Sequence, residues 1–287
     1  MLVRGVCLLT LCVAVGCTTP TTPSDQTWSD PIRITSGMDV TFVHFTSDGG
    51  LIFVAAETVY RTTIEGDPIE TLFSRDGLRR SVESPDGQRV VFDDNFDISV
   101  AAADGSEVRS VASDPVLWEF ASSIHPDGNR VVHVTIDDAA QEYGLWVRDL
   151  EGGEAQSLHL TQEEVLRHTR WSPDGNRISY FAIRNGEASL WFINADGSGR
   201  TQLPPVTSFE RQPSWSPDGR DFVYSSKSDG DFDLWVRGVE GGEPLQLTTL
   251  VGDEAKPGWS PDGRTIVFVC TGCSGGADGD LYTITRE

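Results

Sequence analysis

Lysine is almost absent from this chain. Lys227 and Lys256 are its only two among 287 residues. Basic residues number 22 against 44 acids, a formal net charge of −22. Such a surface repels nucleic-acid phosphates and anionic headgroups, so no nucleic-acid role is expected and basic or cationic partners are favoured. Long apolar runs are missing too. Val6–Val15 is an apolar run of about ten residues, too short to cross a bilayer. Cysteine is sparse: Cys7, Cys12 and Cys17 fall in the first 17 residues, leaving only Cys270 and Cys273. The five histidines, His44, His125, His133, His159 and His168, form no i, i+4 pair.

What the sequence has in abundance is one repeated turn. Trp171-Ser172-Pro173-Asp174-Gly175 returns at Trp215–Gly219 and at Trp259–Gly263, each time 44 residues on. Weaker copies are Glu83-Ser84-Pro85-Asp86-Gly87, Ile124-His125-Pro126-Asp127-Gly128 and Thr46-Ser47-Asp48-Gly49. In such a turn Pro presets φ near −65°, Asp bonds its own backbone and Gly accepts positive φ. An apolar run follows each turn, as in Arg177–Phe181 or Arg264–Val269. A second run follows that, as in Leu190-Trp191-Phe192-Ile193 or Leu234-Trp235-Val236-Arg237. Then come Asp-Gly-Ser or Glu-Gly-Gly turns and a last short strand such as Pro244–Thr248. Four strands per unit of about 44 residues predict an all-β, six-bladed β-propeller.

The blades are expected at Val40–Phe73, Arg79–Ala112, Leu117–Leu160, Val165–Leu203, Phe209–Leu247 and from Ala255 to Glu287, the last one strand short. Pro31-Ile32-Arg33-Ile34-Thr35 matches Pro244–Thr248 in pattern. Pairing of Ile32–Thr35 beside Leu281–Ile284 would complete the sixth blade and close the ring. Trp171, Trp215 and Trp259 recur at one blade position and Trp146, Trp191 and Trp235 at another, which reads as inter-blade core.

Residues 1–16 read as an export signal, with Arg4 before the apolar run. Loss of that segment removes one base and no acid, taking the net charge to −23. Ala14-Val15-Gly16-Cys17 resembles the bacterial lipobox, in which Cys17 would be lipidated; an ordinary secretory signal is the competing reading. Residues 17–30 read as a Thr- and Pro-rich tether, and residues 31–287 as the propeller. Cys270 and Cys273 read as a structural disulfide in an exported protein, set against a redox dithiol or half a zinc site.

The repeated Ser-Pro-Asp-Gly after an aromatic, then Leu-Trp-Val and Asp-Gly-Ser or Glu-Gly-Gly, resembles the WD40-like PD40 repeat of TolB-type six-bladed propellers. The likeness covers roughly residues 31–287 and is strongest in the last three blades. It implies an envelope protein that binds a protein partner through the propeller. The sequence departs from that family in having a tether where TolB carries an α/β domain, and in the lipid anchor. The same repeat occurs in propeller peptidases and oligogalacturonate lyases. Gly272-Cys273-Ser274-Gly275-Gly276 matches Gly-x-Ser-x-Gly, but a nucleophile elbow needs a strand and a helix around it.

In propellers the segment entering each innermost strand opens on the channel mouth. Here those segments are Leu78–Arg80, Trp118–Phe120, Arg167–Arg170, Phe209–Gln212 and Asp253–Lys256. They vary between blades while the turns do not, so a ligand site is expected there. Its candidate residues are Arg79, Trp118, Glu119, Arg167, His168, Glu210, Arg211, Glu254 and Lys256; Arg80 lies among the same charges. No catalytic residue and no metal ligand is expected. Asp229–Asp233 and Asp278–Asp280 are acidic enough for Ca²⁺ but lack the EF-hand ligand series, so no cofactor is assigned. The expected function is a monomeric, lipid-anchored binding or scaffold propeller of the bacterial cell envelope, for a protein or peptide partner of basic character. The alternatives are a propeller enzyme acting on a glycan, as lyase or hydrolase, and a sensor propeller of a membrane complex.

Overall fold

A computed structural model describes residues 27–287 except 115, 154, 204–208, 228–229, 274 and 276–278; at 121, 122 and 209–212 only the backbone is described. Cys17 and the whole export signal lie outside the described residues. The described residues are all β, in six four-stranded antiparallel sheets. No helix among them is long and apolar enough to cross a membrane.

Blade one comprises Val40–Phe45, Leu51–Ala55, Thr58–Thr62 and Glu70–Ser74, from inside outward. Blade two comprises Leu78–Glu83, Arg89–Asp94, Asp97–Ala102 and Arg109–Ala112. Blade three is Leu117–Ile124, Arg130–Asp137, Glu142–Asp149 and Gln156–Thr161. Blade four is Val165–Trp171, Arg177–Arg184, Glu187–Asn194 and Thr201–Gln202. Blade five is Phe209–Trp215, Asp221–Lys227, Phe232–Gly238 and Leu245–Gln246. Blade six is Asp253–Trp259, Thr265–Thr271, Gly279–Thr285 and the N-terminal strand Ile32–Arg33.

The repeated turn builds itself from its own side chains. Ser172 Oγ donates to Asp174 Oδ1 at 2.6 Å, which also accepts the Asn176 N–H at 3.0 Å. The Arg177 N–H returns to Ser172 Oγ at 2.9 Å. Gly175 closes the turn at φ +70°, where a side chain would be strained. The same Ser–Asp bond recurs at Ser84–Asp86, Ser216–Asp218 and Ser260–Asp262. These turns lie at the end of the ring opposite the segments that enter the innermost strands, because the strands run up and down within each blade.

The core lies between blades. Trp171, Trp215 and Trp259 are buried in three successive inter-blade clusters, and Trp191 and Trp235 pack partly buried against them. At an apolar burial value of about 25 cal/mol per Å², aromatics of this size dominate such seams. Each seam needs both neighbours, so an open ring would leave two apolar faces wet.

The two ends of the propeller meet in blade six. Ile32 pairs with Thr283 and Arg33 with Tyr282. The Ile34 N–H reaches Leu281 O at 2.7 Å, and the Leu281 N–H reaches Thr35 Oγ1 at 2.9 Å. Buried Asp280 accepts from Arg33 and from the Gly37 N–H at 2.8 Å. Trp28 continues the contact, bridging to Arg286 and meeting Trp259 edge-on at 5.7 Å. The docked segment therefore begins before residue 31, inside the stretch read as tether. Cys270 and Cys273 are joined by a disulfide next to the outer end of the Thr265–Thr271 strand.

Candidate functional site at the channel

The innermost strands of the six blades surround a cavity of about 190 Å³. Its lining draws on every blade: His44, Val82, Ser123, Arg170, Ser214 and Gly258. Each of these is the residue immediately before the motif aromatic or its equivalent, so they form one ring at one depth. Phe42, Phe45, Pro257 and Trp259 add apolar walls. Arg170 is the only member of that ring with a permanent charge.

Two residues further toward the mouth the equivalent positions are Phe42, Arg80, His168 and Lys256, with Ala121 and Gln212, whose side chains are not described. The inner strand of blade four breaks register between Arg167 and Arg170, and that of blade six between Ala255 and Gly258. His168 and Lys256 sit within those bulges, each at φ 56°. A bulge inserts a residue and re-aims its side chain, and such positions gather beside sites. Left-handed backbone at a non-glycine residue costs on the order of 1 kcal/mol or more, held here by the surrounding strands.

Contacts across the ring place the charges. Arg80 Nη2 of blade two lies 3.3 Å from His168 Nδ1 of blade four, past blade three. The Arg170 guanidinium of blade four lies 5.7 Å from the Phe42 ring of blade one, and Arg80 lies 5.8 Å from the same ring. Such contacts between non-adjacent blades exist only near the axis. Arg167 stands over Phe120 at 5.8 Å.

The electrostatics agree with this convergence. His168 is held well below its ordinary 6.5, first by burial and then by Arg80, Arg170, Arg167 and Lys256. It is neutral at pH 7. Burial, then Arg80, draws Arg170 down to about 10, with Asp93 opposing. Arg80 is also lowered, by burial and Arg167, again against Asp93. Asp93 sits opposite Arg80 in the strand ladder and is buried. Burial takes His44 to about 4; its Nε2 accepts the Glu83 N–H at 2.9 Å. A protein with twice as many acids as bases thus has a cationic channel.

The nine expected site residues divide. Arg167, His168 and Lys256 do come together here. Arg79 and Trp118 form a separate group at the rim: Arg79 lies 4.2 Å over Phe96, which stacks on Trp118 at 5.1 Å, and Trp118 is 46% exposed. Phe96 holds that place at φ 70°, in a two-residue turn with Asn95. Glu119 and Glu254 are buried at 1% and 0% exposure and belong to the seams between blades, not to the mouth. Glu254 accepts from Thr248 Oγ1 and, at 3.2 Å each, from the Leu234 N–H of blade five and the Leu250 N–H that follows that blade. Burial lifts both carboxyls to about 7. The side chains of Glu210 and Arg211 fall outside those described. Sequence reading passed over Arg170, Asp93 and Phe42; alignment of each inner strand on its motif aromatic would have exposed Arg170 as a lone charge among His, Val, Ser, Ser and Gly.

The acidic loops are otherwise engaged. Asp280 holds the N-terminal strand, Asp231 accepts the Gly252 N–H at 3.3 Å and Asp233 accepts Gln246 Nε2 at 3.0 Å. Asp229 and Asp278 lie outside the described residues. Among the described residues no group of three or more His, Cys, Asp or Glu side chains is placed to hold a metal ion.

A closed six-bladed propeller with a charged axial channel defines a ring scaffold that presents variable inner-strand residues on a constant frame. Residues 127–283 match the family described as the TolB beta propeller domain, PD40, and the chain belongs to that family. The Tol-Pal system protein TolB of Thioalkalivibrio sulfidiphilus is 28% identical over 110 residues, which is 38% of this chain and 25% of that protein. The match thus spans about a quarter of that relative's length. Among solved structures, a TolB-like protein from Agrobacterium tumefaciens superposes with a TM-score of 0.68 at 20% identity, covering 90% of this chain and 96% of the other. An oligogalacturonate lyase from Vibrio parahaemolyticus gives 0.64 at 13% identity, covering 91% and 97%. At such identities the likeness speaks for the fold alone.

Proposed function

We propose that this protein is a non-catalytic binding propeller of the bacterial cell envelope, tethered through a lipidated Cys17, that receives a protein partner at the mouth of its channel. The observation that carries the reading is the convergence of Arg80, Arg167, His168, Arg170 and Lys256 from three blades on one opening. His168 is neutral and its Nδ1 lies 3.3 Å from the Arg80 guanidinium, which has only donors to offer, so that ring nitrogen is taken up by a cation and not open to accept a proton. The exposed Trp118, backed by Phe96 and Arg79, supplies the kind of aromatic anchor on which interfaces concentrate their energy. Membership of the TolB propeller family supports a protein partner.

The test is site-directed photo-crosslinking in envelope membranes. A photoreactive residue replaces Trp118 at the mouth, or Asp196 at the opposite end of the ring. Capture of one defined protein from Trp118 and none from Asp196 is the expected result. Capture from Asp196 alone, or from neither, sinks the reading.

A further inference from the structure

Four cations, Arg80, Arg167, Arg170 and Lys256, act on His168 at the channel, and Asp93 is the carboxylate set against Arg80 and Arg170. Arg80 and Arg170 both approach the Phe42 ring, from two different blades, at 5.8 and 5.7 Å from its centroid. Arg80 Nη1 is buried and has no hydrogen-bond partner among the described residues. A buried guanidinium N–H left unpaired is expensive, and an acceptor that enters the channel would relieve that cost. Among the described residues, Asp93 is the one carboxylate that acts on both arginines. The cavity below them is narrow, about 190 Å³, and its apolar walls suit a short extended segment better than a hydrated ion.

We propose that the channel is a carboxylate-binding site: an acidic group of the partner enters between Arg80 and Arg170 and is held by the fork of their guanidinium donors. The inference rests on the protein-binding reading and adds the chemistry of the bound group. Guanidinium matches a carboxylate bidentately, with short charge-assisted bonds. The acidic exterior then plays a complementary part. It attracts the basic surroundings of the partner and repels a uniformly acidic molecule, so that only an acidic tip on a basic body is favoured at both levels. The carboxylate has two chemical sources in a protein, the side group of Asp or Glu and the free carboxyl terminus.

Calorimetric titration of the full-length protein with three pentapeptides distinguishes them. The first is acetyl-Gly-Ala-Glu-Ala-Gly amide, whose only carboxylate is that of glutamate. The second is acetyl-Gly-Ala-Gln-Ala-Gly free acid, with a terminal one. The third is the Gln peptide as its amide, with none. The expected result is binding of one or both acids, with the uncharged amide at least roughly tenfold weaker, as loss of a charge-assisted pair implies. Arg170→Gln and Arg80→Gln should each reproduce that loss, while Arg170→Lys, which keeps the charge without the fork, recovers part of it. Thermal unfolding of each variant checks the fold; Arg170→Gln relieves like charge against Arg80 and should leave it unchanged or raise it, whereas Arg80→Gln also takes a counter-charge from buried Asp93 and should lower it without unfolding the propeller. Binding of neither acid, equal binding of the neutral amide, or full affinity in both Gln variants overturns the proposal. So does binding of trigalacturonate with none of the peptides, which would assign the charge to an acidic sugar. Capture at Trp118 together with no carboxylate binding would leave the protein-binding reading standing and remove only this one.

Discussion

Glu119→Gln should stabilise this protein above pH 7 and leave it nearly unchanged near pH 4. Glu119 is 1% exposed, its Oε2 meets no donor among the described residues, and burial lifts its carboxyl from 4.5 to about 7 against the attraction of Arg148. In the ladder it faces Thr135, on the same side of blade three as His133 and Arg148. A group whose folded pKa is raised holds its proton more tightly when folded. Its contribution is therefore fully present below 4.5 and is lost as pH rises through about 7. One pKa unit is worth about 1.4 kcal/mol, so the loss is roughly 3 kcal/mol. Gln at this site never ionises and escapes it. For a domain of this size, 1 kcal/mol shifts Tm by roughly 2–4 °C, so the variant should gain on the order of 6–12 °C relative to the parent between pH 4 and pH 8. Thermal unfolding followed by near-ultraviolet circular dichroism at several pH values measures it. A difference that stays flat across pH would show that burial does not raise this carboxyl, and a variant weaker at pH 8 would show that Glu119 and Arg148 form a net favourable ion pair. His133 acts in the opposite sense. Fully buried, with neither ring nitrogen partnered among the described residues, it is lowered to about 3 by burial and then by Arg148. Its contribution is present above 6.5 and lost as pH falls toward 3, so the parent's stability should decline on both sides of a mildly acidic optimum.

Other consequences are simpler to read. Asp280→Ala removes the acceptor of Arg33 and of the Gly37 N–H, and should cost roughly 2 kcal/mol in urea unfolding, with residues 27–35 becoming the first site of limited proteolysis. An unchanged midpoint would show that ring closure does not depend on this residue. Asp174→Ala breaks the Ser172 and Asn176 bonds of the repeated turn and should cost roughly 1 kcal/mol at pH 7. Because the Ser172 hydrogen bond in particular holds Asp174 below 3.8, that cost should shrink as pH falls through the carboxylate range. Phe96→Gly gives the Asn-Gly pair that type I′ turns favour, so the fold should keep or gain stability while Trp118 emission shifts to the red; a marked loss of stability would mean that the Phe96 stack outweighs its backbone strain.

Most of the fold was legible because six copies of one turn repeat at near-constant spacing, and each turn carries its own hydrogen-bond set. Once Ser172-Pro173-Asp174-Gly175 is understood as a self-contained hairpin turn, the strands before and after it follow by alternation. The site was less legible, and two of its expected residues were misplaced for a definite reason. Glu119 and Glu254 look like loop charges in a linear reading. Counted back from the motif aromatic or its equivalent, each lies five residues before it, as Glu210 does in blade five, while blades one, two and four have Val40, Leu78 and Leu166 there, all buried. A carboxylate there faces the neighbouring blade. Glu254 is satisfied in part by the Leu234 N–H, 20 residues back in sequence, a partner that no local pattern reveals.

The same count gives the strongest argument for where function was added to the frame. The position just before the motif aromatic holds His44, Val82, Ser123, Ser214 and Gly258 in five blades, and Arg170 in blade four. Small and neutral residues suffice to line a narrow shaft, and those five show that the fold asks for no cation there. Burying a guanidinium beside Arg80 instead raises the energy of the empty protein, as the depressed proton affinities of both arginines record. Stability is therefore not what Arg170 contributes. A binding site that must hold an anion is built by accepting such a cost in the free state and recovering it in the complex, since the ligand then meets donors already fixed in place. On that reasoning Arg170→Ser, which restores the residue of blade five, should make the free propeller more stable and its channel indifferent to carboxylates. A less stable Arg170→Ser protein would mean that the arginine serves the ring itself, and that the axial charge is structural.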